Sequence, residues 1–415
     1  MPVSLSEGQW HNSAQMRYDV AIIGAGVVGC AVARELSLRS QAKIAVLEKE
    51  REVAHHTSGR NSGVVHSGFN QEPGSLKAQL CVAGNRMLRE YCPTRGVPLM
   101  QVGTLVVAQT PGEMETLREL EQRGKANGVP GIRLIDRGEL RKLEPHCAGE
   151  GALHSPTGGI VDAKALVRSL VAQAEDRGVE FLFGARVARV QNGTIFAAGR
   201  RIEAGYIINC AGLHADEIAH MMGVGLEYRI IPFRGEYYEL RSQRSYLVNS
   251  MIYPVPNLRL PFLGIHFTRR TDGRVIVGPN AVLALGRESY GPWQVSPSDT
   301  LAMLASRHFW RLILRREFIG QTIGEIRTSL SKRRFVAAAR RLVPEITTQD
   351  LVKGVAGIRA QLVDKRGRLV EDFVHEETEN STHILNTVSP GLTSALAFAE
   401  HLSNEIIPKA GLRPV

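Results

Sequence analysis

The chain has 415 residues, of which 43% are apolar and 22% charged, with a formal net charge of +10. That composition leaves little room for long disorder, and the length predicts two domains rather than one core. Five cysteines, an odd number without CxxC spacing, argue against a disulfide framework or a structural zinc site and fit a reducing compartment, while the charge points to anionic partners without choosing among nucleic acid, lipid and a small acidic substrate.

Residues 1–17 hold one Arg, one Glu and no apolar run, so they read as a short extension rather than a secretory or transit segment. The apolar run Val20 to Ala33 has 14 residues and three glycines, short of the ~20 a membrane helix needs. Residues 18–49 instead predict a βαβ unit: a strand from Val20 to Ile23, a glycine turn, a helix to about Leu38 and a second strand from Ile44 to Leu47. Gly24, Gly26 and Gly29 form GxGxxG, suited in turn to a tight bend, a close backbone approach to a pyrophosphate, and helix-on-strand packing. Glu48 ends the second strand, where an acid binds ribose hydroxyls. A nucleotide site follows from strand, turn, helix and acid together.

The next stretch, HHTSGRNSGVVHSGFN from His55, is too poor in bulk to build a core, so something else should lie against it. His55 and His56 read as solvated loop residues, with phosphate or flavin contact as the functional reading. Ala204 to Ala219 predicts a further strand, a Gly turn at Ala211 and Gly212, and a helix. From Tyr253 to Asn280 short alternating strands predict an antiparallel sheet, with His266 and Phe267 on opposite faces. Residues 306–341 carry ten Lys or Arg against two Glu, a net +8, interleaved with Phe309, Trp310, Leu312, Ile313, Phe318 and Phe335. Contact with an anionic membrane and simple solvent exposure are both readings of that pattern; nucleic acid is disfavoured. Near the C-terminus, Ile384 to Ile407 predicts a strand, a Ser-Pro-Gly turn and a helix. The three separated strand–turn–helix segments fit one FAD-type domain, the last helix aiming its positive end at the flavin; an ordinary capped helix is the plainer reading of Ser389 to Thr393.

With these residues in view, the chain resembles the D-amino-acid oxidase-like FAD oxidoreductases, and within them the group that oxidises 2-hydroxyglutarate. The resemblance is carried by GRNSGVVHSG and GSLKAQLCVAGN (59–85), IIPFRGEYYEL (230–240), the run from Ile252 to Ala284, and GVAGIRAQLVDKRGRLVEDF (354–373). It implies an α/β fold in which a discontinuous Rossmann-like FAD-binding domain (18–95, 150–220, 350–410) receives a substrate domain of mixed or antiparallel sheet (96–149, 221–349). It implies FAD as cofactor, no metal, and oxidation of L-2-hydroxyglutarate to 2-oxoglutarate by hydride transfer to flavin N5, with quinone or another acceptor taking the electrons. The implied location is cytoplasmic or peripheral on the inner face of the cytoplasmic membrane. A flavin oxidase of another small acid, such as glycerol 3-phosphate or a D-amino acid, and a noncatalytic flavin carrier are the alternatives.

By the same resemblance FAD would touch Gly24, Gly26, Gly29, Glu48, Lys49, Thr57, Ser58, Asn61, Ser62, Gly63, Val64, Val187, Ala211, Gly212, Ser389, Pro390, Gly391, Leu392 and Thr393. His66 is implied as the base, a role for which imidazole suits a secondary alcohol, against a flavin contact or a covalent flavin link. His266 stands as an alternative base or substrate ligand, or as a structural histidine. Arg359 is implied as the carboxylate anchor, because a planar guanidinium grips a carboxylate with two bonds; an ion pair with Asp364 or Glu371 is the alternative. Tyr253 and Asn280 are weaker substrate candidates; Arg234 offers a cation for the distal carboxylate, with a surface strand charge as the favoured reading.

Overall fold

The computed structural model describes residues 15–256, 264–315, 331–387 and 389–415. Strand β1 (Gln15–Ile23) runs through the middle of a sheet and is apolar without alternation from Val20 to Ile23, as expected where both faces are covered. It pairs in parallel with β2 (Ile44–Leu47) and with β4 (Arg200–Asn209); β2 pairs in parallel with β3 (Glu180–Leu182), and β4 with β7 (Ser381–Asn386). The parallel order β3-β2-β1-β4-β7 is that of a doubly wound nucleotide-binding sheet, whose ligands lie beyond the carboxyl ends of the strands. Helix α1 (Val27–Arg39) joins β1 to β2, matching the helix expected to end near Leu38.

One face of this sheet is covered by four helices in successive contact: Ala163–Glu175 against α1, α1 against α3 (Gly391–Lys409), and α3 against α2 (Leu76–Thr94). Val20, Ile22, Leu36, Leu88, Leu166 and Phe398 make up part of the core beneath them. Each such side chain contributes on the order of 2 kcal/mol by leaving water. The alternate residues Ala21 and Ile23 point to the other face and join Ile195, Ile207 and Ile218.

A nine-stranded mixed sheet forms a second layer. Its longest pair is antiparallel, β5 (Tyr228–Leu240) with β6 (Leu351–Asp364), in register from Tyr228 opposite Asp364 to Leu240 opposite Leu351. The strands Met251–Pro254, His266–Arg269 and Val275–Gly278 run antiparallel to their neighbours in this series, as the alternation around Tyr253 to Asn280 predicts. Gly151–Ser155 and β6 hydrogen-bond within this second sheet, although both fall in stretches that the sequence-based division gives to the FAD-binding part.

The basic segment forms helices at Arg307–Ile313 and Lys332–Arg340. Phe309 and Leu312 are buried against Ile231, Phe233 and Val363, and Phe335 against the core of the second sheet, so these apolar groups face protein; Trp310 is exposed. Phe318, Arg327 and the rest of 316–330 lie outside the described residues, as does most of the 1–17 extension. Among the described residues no helix is long and apolar enough to cross a membrane. All five cysteines are free and buried.

Candidate active site

A cavity of about 1240 Å³ opens at the carboxyl ends of β1, β2 and β4 and continues between the two sheets. It exceeds the ~300–1,000 Å³ of ordinary small-ligand pockets and has room for a dinucleotide beside a small substrate. It is lined from the first βαβ unit by Gly24, Gly26, Glu48 and Lys49, from the segment after it by Thr57, Ser58, Asn61, Ser62, Val64 and His66, and from the β4 side by Val187, Ala211 and Gly212. Tyr253, His266, Asn280 and Arg359 line the wall made by the second sheet, and Ser389 to Thr393 close the end under α3. Gly29 and Gly63 stand behind the lining: a side chain on either would meet backbone oxygen, Gly24 O at 2.0 Å or Val161 O at 2.5 Å.

The nucleotide end is a cradle that side chains would fill. Gly24 has φ +106°, where L side chains are strained, and a Cβ there would lie 2.5 Å from Cys210 O. Gly26 precedes the first turn of α1, and a Cβ on it would lie 3.0 Å from Ser58 Oγ, which accepts the Val27 N–H at 2.9 Å. The Glu48 carboxylate accepts from Ala25 N and Glu50 N, both at 2.9 Å, holding the turn in shape at the edge of the cavity. The N-terminus of α3 has no side-chain cap, so its first N–H groups and its dipole are available to an anion or an electron-rich ring edge. Two helix N-termini, a glycine cradle and a carboxylate at the end of β2 fit FAD.

Beyond Glu48 a polar cluster links distant parts of the chain. Lys49 Nζ pairs with Glu50 and lies 2.7 Å from Glu288 and 2.6 Å from His56 Nε2. His56 Nδ1 reaches Tyr290 Oη at 2.6 Å, and His214 Nε2 reaches Glu288 at 2.9 Å. His56 is therefore half-buried and bonded on both ring nitrogens, which corrects the expectation of a solvated loop residue. His55 is more open and lies 3.3 Å from Glu52.

His66 follows the two-residue strand Val64–Val65. Its backbone is held at both ends: its N–H donates to Thr393 Oγ1 at 3.0 Å, and its carbonyl accepts from Asn85 Nδ2 at 3.1 Å. Thr393 also donates to Val64 O at 3.3 Å, so the first turn of α3 and the segment 64–66 are tied together. The His66 imidazole faces the cavity, with Nε2 3.4 Å from Ser389 Oγ. Burial, then the neighbouring His266, Lys77 and Arg359, push its pKa down to about 4. It is neutral at physiological pH.

His266 is buried, stacks on Tyr253 with ring centroids 4.2 Å apart, and is also pushed down to about 4, by burial. Its Nδ1 donates to Gly264 O at 2.9 Å, which fixes the tautomer and leaves Nε2 as a lone pair. Phe267, one residue on, lies in the apolar core, as alternation requires. Asn280 lines the cavity while its side chain is engaged with Glu236, accepting Glu236 N at 2.9 Å and donating to Glu236 Oε2 at 2.9 Å.

Arg359 comes from β6, opposite Phe233 of β5, and reaches the cavity with Tyr237 nearby. Asp364, one of its two expected ion-pair partners, is taken by Arg368 at 2.8 Å. Phe233, Gly235 and Tyr237 turn to the cavity, so Arg234 turns away; it is buried, with bonds to Glu236 at 3.0 Å and Gly291 O at 2.9 Å. This corrects its reading as a surface charge. Burial of the Tyr237 phenol pushes it up to about 12, so it is a hydrogen-bond donor throughout the physiological range.

Sequence reasoning missed Tyr237, Lys77, His214 and Glu288, all of which line the cavity. Tyr237 was within reach by extending the alternation from Phe233. Lys77 carried a signal as well, since a cation in the first turn of a helix runs against the helix dipole. His214 and Glu288 had none, being brought together only by the fold.

Residues 19–405 match the family described as FAD dependent oxidoreductase (DAO). An L-2-hydroxyglutarate dehydrogenase from Indibacter alkaliphilus is 41% identical, covering 92% of this chain and 97% of that protein. The human L-2-hydroxyglutarate dehydrogenase, mitochondrial, is 38% identical over 96% of this chain and 90% of its own, and that of Escherichia coli strain K12 is 38% identical over 94% and 93%. Among solved structures, dithionite-reduced L-alpha-glycerophosphate oxidase from Mycoplasma pneumoniae with FAD bound has a TM-score of 0.76 at 24% identity, covering 96% of each chain. Glycine oxidase from Geobacillus kaustophilus has a TM-score of 0.70 at 19% identity, covering 94% of each. These two likenesses concern the fold.

Proposed function

Because the chain belongs to the L-2-hydroxyglutarate dehydrogenase group of the FAD dependent oxidoreductase family, we propose that it oxidises L-2-hydroxyglutarate to 2-oxoglutarate and passes the electrons to quinone or another acceptor. One observation carries the reading: beside the nucleotide cradle, the same cavity holds two neutral imidazoles and a buried-side arginine, His66, His266 and Arg359, the groups needed to deprotonate and anchor a hydroxy acid. FAD, when bound, supplies the ring that accepts the hydride leaving C2. Arg359 holds the carboxylate next to the reacting carbon, and its planar fork sets that carbon's orientation. His66 takes the hydroxyl proton.

An imidazole held near pKa 4 is always ready to accept a proton but holds one weakly. The substrate remedies this, because its carboxylates offset the positive fields of Lys77 and Arg359 on His66 and so raise its pKa in the complex. The first turn of α3 positions the base through Thr393, and Tyr253 and Tyr237 help wall off water. His266 as the base is a second reading, supported by the Gly264 carbonyl that fixes its tautomer and leaves Nε2 as the acceptor. The boundaries that fit the two sheets best give the FAD-binding part residues 15–95, 156–220 and 365–410, and the substrate part the remainder, including β6.

The test is anaerobic addition of L-2-hydroxyglutarate or its D isomer to the purified flavoprotein. Loss of the oxidised flavin band with the L isomer alone is expected, and a band that stays intact with both would overturn the assignment. Stopped-flow reduction of His66→Asn and His266→Asn separates the two bases: the true one slows flavin reduction by ~10²-fold or more.

A further inference from the structure

A five-carbon dicarboxylate presents two anionic ends, and Arg359 accounts for one. We propose that Lys77 is the second anchor, the residue that recognises the distal carboxylate and so makes the site selective for dicarboxylates; this rests on the substrate class read above.

Lys77 sits in the first turn of α2, two residues after the N-cap Ser75, whose Oγ accepts the Ala78 N–H at 3.1 Å. A cation there opposes the helix dipole, so α2 gains nothing from it; an Asp or Glu would serve the helix better. The side chain is half-buried and lines the same cavity as His66 and Arg359. Its backbone N–H is pinned by Asp372 Oδ1 at 3.0 Å, and its Nζ donates to Glu371 O at 2.8 Å. One carbonyl uses one of three ammonium protons, leaving two to donate. Among the described residues no carboxylate forms an ion pair with it: Asp372 Oδ1 accepts the backbone N–H groups of Lys77 and Phe373, and Glu371 is met through its carbonyl.

Lys77 and Arg359 thus present two like charges to one cavity, each felt by the same imidazole. Burial and the Arg359 charge lower the Lys77 pKa, and the Glu371 and Asp372 carboxylates offset this only in part, so holding both cations at one cavity carries an electrostatic cost. A monocarboxylate relieves one cation. A dicarboxylate relieves both.

The probes are glutarate and butyrate, neither of which can be oxidised at C2 by loss of a hydroxyl proton. Each is titrated into the FAD-loaded protein and followed by perturbation of the flavin spectrum. The wild type should bind glutarate more tightly than butyrate. In Lys77→Met, glutarate binding should weaken by about 10- to 100-fold, while butyrate changes by less than about threefold. Lys77→Arg should restore most of the glutarate affinity. If Lys77→Met loses its flavin, Lys77→Gln keeps a donor to the Glu371 carbonyl and should show the same selective loss. Unchanged glutarate binding, or equal weakening for both acids, overturns the proposal. Failure of L-2-hydroxyglutarate to bleach the wild-type flavin overturns the functional reading instead, and the glutarate-against-butyrate comparison still decides the role of Lys77.

Discussion

Gly84 lies in the middle of α2 where that helix meets the first turn of α3, and substituting it with Ala tests how the site is held. A Cβ at Gly84 would lie 2.2 Å from Thr393 O and 2.9 Å from Ser394 Cα, both backbone atoms that cannot rotate away. Restoring van der Waals contact requires the first turn of α3 to retreat by roughly 1 Å, and overpacking of this kind costs about 1–3 kcal/mol. The functional loss should exceed the loss of stability. Thr393 in that turn holds the His66 N–H at 3.0 Å, and Ser389 stands at the His66 ring, so the shift moves the base and the end wall of the cofactor site together. A displacement near 1 Å in a catalytic constellation costs on the order of 10²-fold in rate. Gly84→Ala should therefore show a lower Tm, partial loss of flavin on gel filtration, and turnover with a dye acceptor reduced by about 10²-fold. Gly112→Ala is the control, because a Cβ there meets nothing within 4 Å, and it should match the wild type. Wild-type flavin content, Tm and turnover in Gly84→Ala would refute the account of α3 as the element that positions His66.

Because His66 and His266 are pushed down to about 4, kcat/KM should stay flat from pH 8 down to about pH 5 and fall only below it; an acid limb near the ordinary imidazole value, in a pH series with the dye assay, would contradict their burial. His383 is fully buried and also pushed down to about 4 by burial, so between about pH 6.5 and pH 4 the unfolded chain binds more protons than the folded one, and stability falls as pH is lowered through that window by up to about 3 kcal/mol per such histidine. Urea midpoints across the window measure it, and His383→Gln should flatten the slope. Asp216 is fully buried, bonded by Arg287 at 2.7 and 2.9 Å and by Ile230 N at 3.0 Å; Asp216→Ala should cost about 3–5 kcal/mol by urea unfolding, and adding Arg287→Met should restore part of that.

The parts of the fold legible in the sequence are those whose cause is local. The β1 turn, α1 and β2 could be placed because glycine spacing, an unbroken apolar strand and a terminal acid all act within about thirty residues. Strand β3 could not: Glu180–Leu182 is three residues long, and only pairing with β2 makes it a strand. His66 was recognisable because its segment is too thin to form core, whereas His56 was misread because its partners Glu288 and Tyr290 lie more than 200 residues away. Arg234 was misread for a related reason. Alternation assigns it to the face opposite Phe233 and Tyr237, but the Glu236 carboxylate and the Gly291 carbonyl that make burial tolerable come from the register with Asn280 and from a later loop. Lys77 shows a sequence signal that needs the structure for its meaning, since a misplaced charge on a helix says only that some other constraint prevails.

The position of α3 between α1 and α2 bears on how the protein is made. Every wall of the nucleotide cradle except one is specified before residue 387, so a chain emerging from the ribosome has its glycine turn, its acid and its His66 segment well before Gly391–Lys409 has left the tunnel. Until that last helix docks, the core residues Leu88 and Leu36 lack Phe398 and Leu402, and His66 lacks the hydroxyl that pins it. A closed cradle therefore requires α3, and a chain cut upstream of residue 391 is left with an open side and an uncovered apolar slot where Phe398 and Leu402 belong.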